Sequence, residues 1–210
     1  MKVVVVGQGG REHALVRALN LSSSVSHVFA IPGSRGISQE AECISLPLFP
    51  SDQFLNFIKD KKIDLVVVGP EGPLAEGLAD ELRQRGILTV GPSAQAAQLE
   101  ASKIFSKEFM KRAGVPSARY EVVRDMEQLE EKAQKFCPPY VLKADGLAAG
   151  KGVFICQNWD ELREAGHSIF VEKKLGKAGH SALLEEALKG WELSFLVLTN
   201  GEELVPLPLS

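Results

Sequence analysis

The stretch that decides the fold is residues 3–13, VVVVGQGGREH, in which four consecutive valines end at a glycine-rich turn. Branched residues in an unbroken apolar run are typical of a strand that is buried on both faces. After the turn, apolar residues recur at helical spacing up to Leu19. The sequence therefore predicts a strand over 2–6, a turn and a helix over 11–19, which is the beginning of a βαβ unit.

The same alternation continues to about residue 100. It predicts further strands and helices, namely strands over 27–31, 65–68 and 88–90 and helices over 52–61 and 75–85. Consecutive parallel strands joined by crossover helices form a doubly wound sheet, and ligands bind such sheets beyond the carboxyl ends of the strands. Those ends carry glycine or proline turns, at residues 7–10, 31–33, 69–71 and 91–92.

After residue 100 the pattern changes. It predicts helices over 102–113, 125–136 and 159–164 and strands over 140–143, 153–156, 181–185 and 193–199. Strand pairs with a helix between them indicate an α+β unit, so we divide the chain into a Rossmann-like substrate domain, 1–100, and a second domain, 101–210. The apolar end over 204–209 resembles a strand that continues, and we expect a truncated second domain that belongs to a longer protein.

Composition excludes several classes of partner. The 210 residues include 24 Lys and Arg against 27 Asp and Glu, a net charge of −3, which argues against a nucleic-acid partner. No apolar run approaches the roughly 18 residues of a membrane span, so we expect no membrane partner. The three cysteines are odd in number and form no C-x-x-C pair, which indicates a reducing, cytoplasmic location. The histidines have no ligand spacing, and no nucleophile motif is present, so we assign no metal ligand and no catalytic residue.

The first glycine turn only partly matches a dinucleotide-binding fingerprint. Its third glycine is replaced by Glu12, which we expect to be too large for close helix–strand packing, and no acidic residue ends the second strand. What remains is a phosphate-sized anion site on backbone N–H groups, with Arg11 beside it. A plain tight turn is the alternative.

Residues 143–153, KADGLAAGKGV, join two predicted strands. The spacing and the flanks differ from those of a Walker A loop, which has four residues between its glycines and is followed by a helix. Small residues with a lysine at either side suit a lid that closes over a polyphosphate. The alternative is an ordinary long hairpin.

Residues 184–194, LEEALKGWELS, place two carboxylates at a strand end and a third, Glu192, at the start of the next predicted strand. Such a segment suits a hinge whose backbone binds an adenine edge and whose last glutamate accepts from ribose hydroxyls. Taken alone, acidic pairs at strand ends are usually solvated.

Five motifs together carry a more specific signal. They are VGQGGREHA at 6–14, PGSRG at 32–36, VGPEGPL at 68–74, LEASK at 99–103 and KADGLAAGKGV at 143–153. In this order, and over the whole chain, they resemble the phosphoribosylamine–glycine ligase family, which are ATP-grasp enzymes of purine synthesis. The resemblance implies an α/β protein with an N-terminal parallel sheet and an α+β ATP-grasp nucleotide-binding subdomain.

The resemblance also implies an activity. ATP phosphorylates the carboxylate of glycine, and the amine of 5-phosphoribosylamine attacks the acyl phosphate to give glycinamide ribonucleotide, ADP and phosphate, with Mg²⁺ or Mn²⁺. In the family the metal ligands lie beyond the acidic hinge, so the resemblance implies that this chain contains none and is inactive alone. We expect a monomer. Two alternatives stay open: an ATP-grasp ligase with another substrate, and a non-enzymatic nucleotide- or sugar-phosphate-binding module.

Carried over position by position, the resemblance implies two sets of site residues. The expected nucleotide-binding residues are Lys103, Lys143, Gly146, Gly150, Lys151, Gly152, Glu185, Glu186, Ala187, Leu188 and Glu192. The expected residues for the sugar-phosphate substrate are Gly9, Gly10, Arg11, Glu12, Pro32, Gly33 and Glu71.

Overall fold

A computed structural model describes residues 1–48, 51–148 and 151–209. Its first half contains a parallel sheet of five strands in the order β3-β2-β1-β4-β5. The strands are β1 (Lys2–Gly7), β2 (His27–Pro32), β3 (Glu42–Cys43), β4 (Leu65–Val68) and β5 (Thr89–Val90). The helices of this half are α1 (Gly10–Asn20), α2 (Asp52–Lys61), α3 (Glu71–Ala75) and α4 (Leu78–Gln84). The predicted doubly wound sheet is confirmed.

The central strand β1 explains why the valine run decides the fold. All four valines are fully buried, because apolar clusters cover both faces of the sheet. Val4 and Val6 pack in a cluster with Phe54 of α2, whereas Val5 packs on the opposite face with Val16 of α1. Burial on both faces requires a continuous apolar run rather than an alternating one.

The second half contains an antiparallel sheet of four strands in the order β6-β9-β7-β8. The strands are β6 (Tyr120–Val123), β7 (Tyr140–Ala144), β8 (Val153–Cys156) and β9 (Ala182–Glu186). The helices are α5 (Ala94–Ala101), α6 (Lys103–Ala113), α7 (Met126–Ala133) and α8 (Trp159–Phe170). A separate two-stranded hairpin follows, with β10 (Val197–Thr199) paired to β11 (Leu204–Pro206).

The two faces of the antiparallel sheet differ. One face packs on α7 and α8, and its core includes Leu142, Leu184 and Leu162, all fully buried. On the other face, Ile155 is 65% exposed, and α6 packs against β9. This second face, which we call the open face, carries the polar side chains discussed below.

Several predicted elements differ from the structure. The predicted helix over 75–85 corresponds to α4 and begins only at Leu78, because Gly77 before it adopts a φ of +95° that interrupts helical geometry. The predicted strand over 193–199 begins only at Val197, since the ladder with β11 contains three residue pairs. The predicted helix over 159–164 continues to Phe170, and the one over 125–136 ends at Ala133.

Four elements were missed, the first of which is the five-residue helix α3. The short strands β3 and β6 have two and four residues, too few for a clear alternation. Helix α5 lies where the change of pattern suggested a boundary, and its sequence, AQAAQLEA, has little amphipathic contrast. It packs against α3 and α6 and thereby connects the two halves.

Exposed large apolar side chains are concentrated in the segment that follows β9. Leu188, Trp191 and Phe195 are 72%, 84% and 62% exposed. The longest described helix, α8, has 12 residues, and none of the described helices is able to cross a bilayer.

The sidedness of the antiparallel sheet makes a prediction for residues 1–210. Replacing Leu142→Ala removes a fully buried side chain and should lower the free energy of unfolding by about 2–5 kcal/mol. The matched change Ile155→Ala, on the open face of the same sheet, should cost less than about 1 kcal/mol. Urea unfolding of both variants tests this, and equal losses would contradict the assignment of the two faces.

Candidate functional site

The first site lies where β1, β2 and β4 end. The backbone N–H of Gly33 donates to Gly7 O at 3.1 Å, and that of Gly69 donates to Val6 O at 3.0 Å. The turns after β2 and β4 are therefore both bonded to the end of β1. Gly33 requires its glycine, because its φ is +74° and an added Cβ would lie 3.0 Å from the Cys43 Cβ.

Glu12 is the buried centre of this site. It is 4% exposed, and its Oε2 accepts from the Gly9 N–H at 2.7 Å, which closes the first turn of α1. A Cβ at Gly7 would lie 2.6 Å from the Glu12 Cδ, and one at Gly69 would lie 2.8 Å from it. The expectation that Glu12 is too large for close helix–strand packing is therefore wrong, because the missing side chains of Gly7 and Gly69 provide its space.

The second carboxylate oxygen of Glu12 has a different environment. Among the described residues, Glu12 Oε1 is buried and has no hydrogen-bond partner. A buried acceptor without a donor is costly, and such an atom at a strand-end site is available to a ligand.

Arg11 and Glu71 form an ion pair at the rim. The Arg11 Nη2 lies 2.7 Å from the Glu71 Oε1, and the two side chains are 71% and 36% exposed. The hydrogen bond from Arg11, followed by one to the backbone of Glu71 itself, holds the pKa of the Glu71 carboxyl below its ordinary value of 4.5. The same bond raises the pKa of Arg11. Gly10 and Pro32 are exposed beside this rim, at the start of α1 and the end of β2.

The second site is a cavity of about 420 Å³ between α5, α6 and the open face. Its size falls in the range of small-molecule sites, about 300–1,000 Å³. Its lining combines three lysines, two glutamates and apolar side chains: Leu99, Glu100, Lys103, Ser106, Lys107, Met110, Lys143, Val153 and Glu185.

A buried carboxylate between two ammonium groups forms the wall of this cavity. Glu185 Oε2 lies 3.0 Å from the Lys143 Nζ and 3.4 Å from the Lys107 Nζ, and the Glu185 side chain is 4% exposed. Among the described residues, its other oxygen, Oε1, is buried and has no partner. The β-sheet register explains the first pair, since Glu185 lies opposite Val141, two residues from Lys143 on the same face.

Residues at the start of α6 form hydrogen bonds with the beginning of the glycine-rich segment, residues 143–153. Ser102 Oγ donates to the Asp145 carboxylate at 3.1 Å, and the Ile104 N–H donates to Asp145 Oδ1 at 3.1 Å. Lys103 Nζ donates to Gly146 O at 3.1 Å. These bonds fix Lys103 at the mouth of the cavity.

The other residues that were predicted to bind the nucleotide do not line this cavity together, as Lys103, Lys143 and Glu185 do. Gly146 has a φ of +104°, Gly152 is buried, and Lys151 is exposed. Gly150 lies outside the described residues. The Glu186 carboxylate accepts from the Arg119 N–H at 2.7 Å. Of the hinge set, Glu186, Ala187, Leu188 and Glu192 do not line the cavity, and Leu188 and Glu192 are exposed.

Sequence reasoning missed Lys107, Ser102 and Asp145 as site residues. Lys103 and Lys107 are four residues apart, so they share one face of the predicted helix, and that spacing was the available signal. Asp145 lies inside the glycine-rich motif at 143–153. Its contact with the start of α6, about 40 residues earlier in the chain, is not visible in a local pattern.

A larger cavity of about 560 Å³ adjoins Lys107 on the other side, along β6. Several of its cations are already engaged within the protein. Lys132 Nζ donates to Val122 O at 2.7 Å, and the guanidinium of Arg119 lies 4.8 Å from the centre of the Phe136 ring. We therefore take the smaller cavity, with Lys103 and Lys143, as the candidate nucleotide site.

Within 1–48, 51–148 and 151–209, no group of three or more His, Cys, Asp or Glu side chains is arranged to hold a metal ion.

Comparison with known proteins identifies the class. The phosphoribosylamine–glycine ligase of Thermotoga maritima superposes with a TM-score of 0.83 at 33% identity, over 100% of this chain and 49% of that one. The biotin carboxylase domain of a Hydrogenobacter thermophilus 2-oxoglutarate carboxylase, solved with ADP and magnesium, gives 0.71 at 26% identity, over 99% of this chain and 49% of that one. With its lysine-lined cavity beside a glycine-rich hairpin, the chain is an ATP-grasp protein with a parallel α/β domain at its N-terminus.

The family follows from the sequence matches. Residues 1–100 match the N domain of phosphoribosylglycinamide synthetase, and residues 101–210 match its ATP-grasp (A) domain. The chain belongs to the phosphoribosylglycinamide synthetase family. It is 41% identical to the phosphoribosylamine–glycine ligase of Escherichia coli K12 over 100% of its length, and 39% identical to that of Clostridium acetobutylicum over 98%. The chain spans about half the length of these relatives, 49% and 50%.

The packing of Glu12 makes a testable prediction. Replacing Gly69→Ala introduces a Cβ 2.8 Å from the Glu12 Cδ and should lower the free energy of unfolding by about 1–3 kcal/mol. In Gly72→Ala, three residues away, the added Cβ meets nothing within 4 Å, and we expect no loss of stability. Chemical denaturation distinguishes the two variants. Equal stability of both would show that Glu12 moves freely.

The ion pair at the rim predicts a pH effect. Because the folded-state pKa of Glu71 is lowered, its stabilising contribution is present above the ordinary value of 4.5 and is lost as the pH falls through the folded-state pKa. Both side chains are more than one-third exposed, so the contribution should be below about 1 kcal/mol. In a carboxyl ¹³C NMR titration, Arg11→Ala should move the Glu71 midpoint upward toward 4.5, whereas Arg17→Ala should leave it unchanged. An unchanged midpoint in Arg11→Ala would contradict the pair.

Proposed function

We propose that this protein takes part in the ATP-dependent ligation of glycine to 5-phosphoribosylamine, in de novo purine synthesis. The products are glycinamide ribonucleotide, ADP and phosphate. The family and the relatives of 39–41% identity support this proposal. The observation on which it depends most is the cavity in which Lys103, Lys143 and Glu185 meet beside the glycine-rich segment.

In this proposal ATP binds in the 420 Å³ cavity. Lys143, whose side chain is 31% exposed, and Lys103, fixed on Gly146 O, supply the charge that neutralises the polyphosphate. The segment that includes Gly146, Gly150, Lys151 and Gly152 closes over the phosphates. The hinge of Glu185, Glu186, Ala187 and Leu188 binds the adenine edge, and Glu192 accepts from the ribose.

The sugar phosphate binds at the strand ends of the N-terminal half. Gly10 presents its backbone N–H at the start of α1, an 11-residue helix whose N-terminus favours an anion. Gly9, whose own N–H donates to Glu12 Oε2, precedes it in the same turn. Glu12 Oε1, buried without a partner among the described residues, is available as an acceptor for a hydroxyl or amine of the substrate. Arg11 and Glu71 stand at the rim, with Pro32 and Gly33 at the neighbouring strand end.

The proposed chemistry has two steps. A carboxylate oxygen of glycine attacks the γ-phosphorus of ATP, and ADP leaves. The amine of phosphoribosylamine then attacks the carbonyl carbon of the glycyl phosphate, inorganic phosphate leaves, and the amine loses a proton. Positioning and charge neutralisation account for most catalysis of phosphoryl transfer, so the chemistry needs no covalent nucleophile from the protein.

The family chemistry also uses Mg²⁺ or Mn²⁺, which neutralises phosphate charge when it is bound. Within the described residues no group of three or more His, Cys, Asp or Glu side chains would hold it. We further propose that residues 1–210 are inactive alone, and that the protein works as a monomer in the cytoplasm. An assay of glycinamide ribonucleotide formation by the isolated chain and by the full-length protein tests the first of these points.

Nucleotide binding depends on the two lysines in this proposal. In the full-length protein, Lys143→Ala and Lys103→Ala should each weaken ATP binding by about tenfold or more, because each removes a charge-assisted contact. Lys59→Ala, on the exposed side of α2, is the control and should bind ATP as the parent does. Isothermal titration with ATP measures this. Parent-like affinity in both site variants would exclude this cavity as the nucleotide site.

The sugar-phosphate site is tested separately. Arg11→Ala and Glu71→Ala in the full-length protein should raise the KM for phosphoribosylamine before that for ATP, because both residues lie in the N-terminal half. Arg17→Ala, exposed near the other end of α1, is the control. Loss of ATP affinity with normal handling of the sugar phosphate would mean that the two substrates are assigned to the wrong halves.

A further inference from the structure

We propose that Lys107 is a positioning residue for the nucleotide site: it is the permanent counter-ion of Glu185, which allows Lys143 to leave that carboxylate and bind phosphate. This inference rests on the proposed function, since it requires ATP in the cavity beside Lys143. Lys107 was not among the expected site residues, and it is one of few charged residues that the fold buries.

The ammonium group of Lys107 makes several contacts within the protein. Its side chain is 9% exposed, and its Nζ donates to Ser117 Oγ at 2.6 Å and to Ala118 O at 3.1 Å. The same Nζ is 3.4 Å from Glu185 Oε2, and the two groups form an ion pair. The Nζ also lies 5.5 Å from the centre of the Tyr120 ring, within cation–π distance. Two of the three donors of this ammonium group are therefore engaged within the protein, and its charge is paired with Glu185.

Lys143 differs in each of these respects. Its side chain is 31% exposed, and within the described part of the chain its Nζ has a single hydrogen bond, to Glu185 Oε2 at 3.0 Å. Two of its three donors therefore face the cavity. The same carboxylate oxygen thus has one counter-ion that is fixed and one that is free to turn.

The burial of Glu185 makes this difference important. A buried carboxylate that loses its counter-ion is strongly destabilised, because the protein interior solvates charge poorly. If Lys143 were the sole partner, its movement toward a phosphate would leave Glu185 unpaired, and that cost would be subtracted from nucleotide affinity. With Lys107 in place, Glu185 stays compensated while Lys143 turns.

The groups that face Glu185 come from three elements: Lys107 from α6, Lys143 from β7 and Tyr120 from β6, which is opposite Glu185 in the ladder. No second carboxylate is within ion-pair distance of either ammonium group in the described chain. Replacement of Lys107 by a neutral side chain should therefore leave Lys143 as the only charge that compensates Glu185.

A double-mutant cycle in the full-length protein tests the inference, with ATP affinity from isothermal titration as the readout. Lys107→Met should weaken ATP binding by about tenfold or more, because Glu185 would then have no counter-ion when Lys143 turns to the phosphate. In the Glu185→Gln background the same replacement should change ATP affinity by less than about twofold, because no buried charge then needs compensation. Lys111→Met, one turn further along α6 and exposed, is the matched control and should bind ATP as the parent does.

A purely structural role for Lys107, through Ser117 and Ala118, predicts an equal loss of affinity in both backgrounds and would overturn the inference. So would parent-like affinity of Lys107→Met. If the parent binds ATP and Lys143→Ala does not, either result refutes this inference alone. If the parent does not bind ATP, or Lys143→Ala binds it normally, the proposed nucleotide site is wrong and the inference falls with it.

A second measurement uses the unaltered protein and so does not depend on the folding of a variant. Brief acetylation with an amine-reactive reagent, followed by peptide mass spectrometry, should modify Lys143 in the free protein and much less with saturating ATP. Lys107 should remain unmodified in both states. Acetylation of Lys107 at the rate of Lys143, or protection of neither lysine by ATP, would contradict the assignment of a fixed and an exchangeable counter-ion.

Discussion

The arrangement of the second half depends on one buried carboxylate. Glu185 is the residue before the last in β9, and its Oε2 pairs with ammonium groups from β7 and from α6. Through Lys107, the same contact fixes the chain at Ser117 and Ala118, immediately before β6. A buried charge requires compensation, so the positions of α6, β6 and β7 relative to β9 are coupled to one another. The cavity is the space that this coupling leaves between helix and sheet.

The strand-end site of the first half also contains a buried carboxylate, that of Glu12. Glu12 and Glu185 are both buried, with 4% and 3% exposure, and each has one oxygen that is satisfied by the protein and one that has no partner among the described residues. At Glu12 the satisfied oxygen accepts from a backbone N–H, whereas at Glu185 it pairs with lysines. Both carboxylates are thus held in one orientation and present a second acceptor, which is the arrangement expected of residues that receive a ligand in a preformed site.

The two halves are joined by helix packing and hydrogen bonds. Helix α5 packs on α3 of the first half and on α6 of the second, and Ser102, the N-cap of α6, donates to the Asp145 carboxylate. Asp145 in turn is fastened by its own N–H to Ser181 O at 2.8 Å. The segment that sequence patterns suggested as a boundary is therefore a packed helix, and no flexible linker separates the parallel sheet from the lysine cavity.

Local patterns were sufficient for part of the structure. The valine run of β1, the strands β2 and β4 and the helix α2 follow from continuous apolar runs and helical spacing, because burial on two faces or one is recorded directly in neighbouring residues. The order of the motifs likewise predicted the family, and with it Lys103, Lys143 and Glu185 as neighbours. Short elements such as β3 and β6 have too few residues for a period to be visible.

By itself, the sequence determined the parallel α/β beginning, the α+β continuation and the residue types of both sites. The tertiary structure alone decided how those residues are used. Glu12 fits only because Gly7 and Gly69, from two different strands, leave room for it. Lys107 meets Glu185 although 78 positions separate 107 from 185 in the chain, since the strand order β6-β9-β7-β8 brings β9 beside β6 and α6 packs against β9. Contacts of this kind depend on strand order and register, which are properties of the whole packed domain and leave no periodic trace in the residues that make them.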